Sequence, residues 1–151
     1  MLDTFQGLPV HVLLLHATVV LVPVTCLLTV GVAFWARVRS LAVWPVVALN
    51  AVMVVVVWLT AQAGESLERR LGGSPAVADH AEIGDKLLFF AIALLVASVL
   101  VAVLHDRGRA ARLGSGVVSA VVAVATVVWV VRTGHSGAVA VWQDVVASTN
   151  G

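Results

Sequence analysis

The chain has 151 residues, of which 61% are hydrophobic and only 11% charged, with a formal net charge of +1. Soluble globular domains are roughly 45–50% apolar and about 25% charged, so this balance excludes an ordinary water-soluble domain and indicates a membrane protein. The near-neutral charge, with no basic stripe, argues against nucleic acid as a partner, and a single cysteine excludes an intrachain disulfide or a cysteine-rich metal site.

Four apolar stretches, near 8–36, 41–63, 87–104 and 114–133, each approach the ~20 residues a helix needs to cross hydrocarbon. Valine-rich runs such as "VMVVVVWL" at 52–59 are embedded in segments too long for strands, and a barrel needs short alternating segments. The expected fold is therefore all-α: an integral membrane four-helix bundle forming one domain.

The first stretch opens "GLPVHVLLLHATVVLVPV". It has no basic leader, Asp3 being the one early charge, and it exceeds the apolar core of a signal peptide, so it reads as a retained helix. His11 and His16 are costly in hydrocarbon and mark a functional hypothesis. Five residues apart, they point about 140° away from each other and are offset by roughly 7.5 Å along the axis. One helix face buries only one of them well; His16, the deeper, is expected to face the bundle, with His11 interfacial or part of a second site. Pro23 is expected to kink the helix below His16, and Cys26 reads as a packing residue. The link "ARVRS" follows, with Arg37 and Arg39 between Trp35 and Trp44.

The second stretch, 41–63, ends in "TAQAGESL", which places Glu65 at its exit. The connection 64–86 carries Glu65, Glu68, Asp79, His80, Glu82 and Asp85. It is longer than most loops and is expected to form a lid, with a short amphipathic helix at "ESLERRL" as the alternative. The third stretch, 87–104, runs into "HDRGRAAR", which contains His105 and Arg107, Arg109 and Arg112. The fourth, 114–133, is followed by a tail, 134–151, with His135 and Trp142. Buried Thr, Ser and Asn, with small residues, fit helix packing in a membrane, and the tryptophans, including Trp58 and Trp129, fit interfacial anchors.

Arginine concentrates in the first and third links, which predicts that both face the cytoplasm and that the chain is N-out/C-out. Threaded in this way, His11, His16, His80, His135 and Glu65 gather on the outer side, and His105 is left inside. No P-loop, GxSxG, HExxH or dinucleotide fingerprint is present.

Three signatures together resemble the small bacterial membrane family known as domain of unknown function 2231, in its actinobacterial form: "GLPVHVLLLHATVVLVP", "AGESLERR…VADHAEIGD" and "TGHSGAVAVW". The resemblance covers almost the full chain. It picks out His11, His16, Glu65, His80 and His135, and it implies redox company, since some relatives are fused to c-type haem or Rieske iron–sulfur domains.

The leading expectation is a b-type cytochrome-like electron carrier, with haem b ligated by His16 and either His80 or His135 and exchanging electrons between membrane quinol and an outer redox protein or respiratory complex. The rival is a non-haem Zn, Fe or Cu centre of His16, Glu65, His80 and His135. With an open water position that centre could be a membrane metallohydrolase using Glu65 or Glu82 as base. The third is a structural or accessory subunit. A multi-pass place in the bacterial inner membrane, contact with the lipid bilayer and possible homo-oligomer formation accompany all three.

Overall fold

The computed structural model describes residues 4–5, 7–71 and 74–149. A two-residue antiparallel ladder, β1 (Thr4–Phe5) with β2 (Leu8–Pro9), precedes the helices, and Gly7 takes the left-handed φ of 84° in its turn. Four long helices follow: α1 (Val10–Phe34), α2 (Ala36–Leu71), α3 (Pro75–Leu104) and α4 (Arg109–Thr149). Each is long and apolar enough to cross a membrane. Each packs on its chain neighbours, α4 closes against α1, and α1 and α3 meet across the diagonal.

Antiparallel register is fixed by polar side chains. Thr18 and Thr60 hydroxyls bond at 3.1 Å, and Asn50 Nδ2 donates to Thr29 Oγ1 at 2.9 Å, tying α1 to α2. Trp129 Nε1 donates to Ile83 O at 2.9 Å, and Ser119 Oγ to Ala97 O at 3.4 Å, tying α4 to α3. Trp129, expected as an anchor, thus also has an interhelical role. It stacks on Phe90 at 4.9 Å, and the Arg132 guanidinium stands over its ring.

Buried positions recur at spacings of three and four: Thr18, Val22, Thr25 and Thr29 on α1, and Leu87, Ala91, Leu94 and Ser98 on α3. This is the seam of a bundle helix. Buried hydroxyls return their protons to their own helix, as Thr25 does to Val22 O and Thr126 to Val122 O. The outward faces are apolar, with Leu27, Leu41 and Phe89 more than 70% exposed. Lipid, in which apolar surface costs nothing to expose, explains this inside-out distribution.

Helices replace the connections that hydropathy suggests. Of the expected loop 64–86, residues through Leu71 extend α2 and residues from Pro75 begin α3, capped by Ser74 Oγ accepting from Val77 N–H at 3.3 Å. The expected lid is therefore corrected to two helix ends, and the tail is helical through Thr149. Glu, Arg, Leu and Ala are good helix formers whether or not lipid surrounds them, so the polarity change marks a change of solvent and not a break in the helix. Gly108, with φ of 107°, makes the α3–α4 turn.

Candidate bis-imidazole site

One end of the bundle encloses a cavity of about 680 Å³ whose walls come from all four helices, including His11, Leu15, Val57, Gly64, His80, Gly137 and Val141. It is mainly aliphatic, and Glu65, Glu68 and Asp85 also line it.

Across it stand His11 of α1 and His80 of α3, with ring centroids 6.2 Å apart and planes at 76°. Both tautomers follow from hydrogen bonding. His11 Nδ1 lies 2.9 Å from Thr60 O; a carbonyl only accepts, so Nδ1 carries the proton. His80 Nδ1 lies 2.9 Å from Ser136 Oγ, whose own proton goes to Thr133 O at 2.9 Å. The hydroxyl therefore accepts from Nδ1–H. Each imidazole is left with a lone pair on Nε2, and among the described residues neither Nε2 has a hydrogen-bond partner.

Two glycines make room for these rings. A Cβ at Gly64 would lie 3.0 Å from His11 Cε1, and a Cβ at Gly137 would lie 3.0 Å from His80 Cε1. Histidine on one diagonal and glycine on the other thus share one layer: each imidazole rests on the bare backbone of a neighbouring helix.

The bundle-facing histidine of α1 is His11, which corrects the expectation for His16. His16 is exposed and bonds its own helix at Val12 O, 2.6 Å away, although it also borders the cavity. Glu65 borders the cavity from an exposed position, and His135 is exposed beside Ser136. His105 lies at the opposite end, 3.0 Å from Asp106. Among the described residues no three His, Cys, Asp or Glu side chains gather as a metal site, so the set His16, Glu65, His80 and His135 is not assembled. Thr60, Ser136, Gly64 and Gly137 were not singled out as site residues from the sequence.

The signal for His11 lies in phase. His11, Thr18 and Thr25 are seven apart, as are His80, Leu87 and Leu94, and both series run along the buried seams. Gly64 continues Asn50 and Val57, and Gly137 continues Ala123 and Val130. His16, Glu65 and His135 fall outside these series.

Fold and site define a four-helix membrane protein with an imidazole pair at one end of its axis. Residues 7–150 match the family described as "Predicted membrane protein (DUF2231)", and the chain belongs to it. No curated protein and no solved structure matches the chain.

Proposed function

We propose that the protein is a membrane electron carrier in which His11 and His80 would hold a b-type haem. The observation carrying this reading is the facing pair itself, 6.2 Å between centroids, with each Nδ1–H engaged and each Nε2 lone pair unused. Two metal–imidazole bonds of ~2 Å, plus about 1 Å from each nitrogen to its ring centre, place such centroids roughly 6 Å apart. A haem would need only two protein ligands, the number this pair offers. Nδ1–H donation to a carbonyl or hydroxyl is the outer-shell contact that orients a ligating histidine. The cavity volume falls in the ~300–1,000 Å³ range of small-molecule sites, and its aliphatic wall suits a macrocycle. The haem would supply one-electron chemistry. The protein's share is to hold two neutral imidazoles, restrict water and set the potential through its apolar shell.

A free Zn, Fe or Cu ion is less well served, since it requires three or more protein ligands and the described residues bring only this pair together. The proposal includes the N-out/C-out orientation in a bacterial inner membrane, with quinol as donor and an outer redox protein or complex as acceptor.

The test is an optical spectrum of the purified protein, oxidised and dithionite-reduced, after expression with haem supplied. The expected result is a Soret band with sharp α and β bands on reduction, lost in His11→Ala and in His80→Ala and retained in His16→Ala and His135→Ala. A protein without haem, or with haem that survives both His11→Ala and His80→Ala, overturns the assignment and favours an accessory subunit or another ligand set.

A further inference from the structure

A second polar layer crosses the bundle axis away from the histidines. Eighteen residues separate His11 from Thr29 on α1, and eighteen separate His80 from Ser98 on α3. The two helices run parallel, so both hydroxyls reach one level, about 27 Å below the imidazoles at ~1.5 Å per residue. Asn50 of α2 joins through Nδ2, which donates to Thr29 Oγ1 at 2.9 Å. Ser119 of α4 joins through Oγ, which donates at 3.4 Å to Ala97 O, next to Ser98. Each helix thus contributes one polar side chain, and none of the four is more than 1% exposed.

Donors and acceptors in this layer do not balance. The Thr29 hydroxyl proton goes to Thr25 O, that of Ser98 to Leu95 O, and that of Ser119 to Ser115 O and Ala97 O. Asn50 Oδ1 is wholly buried and has no partner among the described residues. What remains is acceptor capacity alone: an amide oxygen and hydroxyl lone pairs. A buried acceptor without a donor is a rare and costly state, commonly relieved by an ordered water. The buried residues that α3 and α4 bring to this layer, Ala97, Ser98 and Ser119, are small.

We propose that this layer holds one internal water molecule, which donates one proton to Asn50 Oδ1 and the other to a serine hydroxyl oxygen of the same layer. A monovalent cation would use the same oxygens, but the layer contains no carboxylate to offset a charge inside hydrocarbon. Water, neutral and carrying two donors, matches the deficit. The inference stands independently of the haem assignment.

X-ray radiolysis of the full-length protein in H₂¹⁸O tests it, since hydroxyl radicals formed from a bound water label what is beside it. Met53, one turn from Asn50 and 3% exposed, is the reporter. Rapid ¹⁸O uptake at Met53 is expected, with loss of that uptake and a lower Tm in Asn50→Leu, which expels the water and breaks the bond to Thr29. Absence of labelling at wild-type Met53 overturns the proposal whether or not the variant folds. So does a higher Tm for Asn50→Leu, the sign of relieving an empty, unsatisfied site. A wild-type Tm that rises with NaCl but not with choline chloride at equal ionic strength overturns it in favour of a cation.

Discussion

Gly64 and Gly137 separate the site from the scaffold. An alanine at either position costs the helix nothing intrinsically, since Ala exceeds Gly in helix propensity by roughly 1 kcal/mol. Its Cβ would nevertheless stand 3.0 Å from an imidazole carbon, so the ring must give way by a few tenths of an ångström. If His11 and His80 hold a haem as proposed, Gly64→Ala and Gly137→Ala should weaken its binding about 10–100-fold, the effect of disturbing a ligand's outer-shell support, while the bundle stays folded. Gly114→Ala, where nothing lies within 4 Å and which does not line the cavity, is the control and should bind as wild type. Haem titration followed by Soret absorbance measures all three; undiminished binding in both cradle variants would show that the glycines do not position the ligands. His80 was legible as a candidate because it is a rare polar group beside an apolar span. Depth in the membrane favours His16 over His11, whereas helix phase turns His11 to the bundle axis and leaves His16 exposed. Ser136 and Thr60 act through atoms that carry no motif, one hydroxyl and one backbone carbonyl, and such contacts emerge only when two helices are placed side by side.

At the level of elements, hydropathy located all four helices but not their ends. It measures where lipid stops, and α2 and α4 continue through polar residues to Leu71 and Thr149. The charge pattern likewise concealed a structural role for Arg39. The side chain is 7% exposed and donates from one guanidinium nitrogen to Val32 O at 3.2 Å and Ala33 O at 2.9 Å. These carbonyls belong to the last turn of α1, where backbone acceptors lack helical partners and a cation is favoured by the helix dipole. Arg39 thus closes the α1–α2 elbow from the inside. Arg39→Ala should cost about 1.5–3 kcal/mol, the worth of hydrogen bonds to a charged group. In a chain of this size each kcal/mol lowers Tm by roughly 2–4 °C. Arg37, exposed on the same link, should tolerate alanine within about 0.5 kcal/mol. Thermal unfolding in detergent of the two variants side by side checks the difference, and equal Tm values would reduce Arg39 to a topology signal.

For the whole molecule, length decides where the imidazole pair sits. α2 has 36 residues, or about 54 Å at 1.5 Å per residue, against a hydrocarbon core of ~30 Å. At the arginine end the turns are short and Trp35 and Trp44 are exposed beside them, as interfacial anchors are. The excess length therefore projects at the histidine end. His11 lies 23 residues from Phe34, about 35 Å along the helix, so the pair stands at the far edge of the hydrocarbon, walled by the projecting parts of α2, α3 and α4. On the proposed reading, a carrier placed there would exchange electrons with one aqueous side, and the orientation determines which. The proposed N-out/C-out arrangement rests on the expectation that arginine-rich links lie on the cytoplasmic side. In a Cys26→Ser background, which removes the buried native thiol, Ser148→Cys reports the histidine end and Ser40→Cys the arginine end, both positions being exposed. A membrane-impermeant maleimide applied to intact spheroplasts should label position 148 and leave position 40 unreacted until the cells are lysed. The reverse pattern would put the imidazole pair on the cytoplasmic face, and the acceptor would then be a cytoplasmic protein.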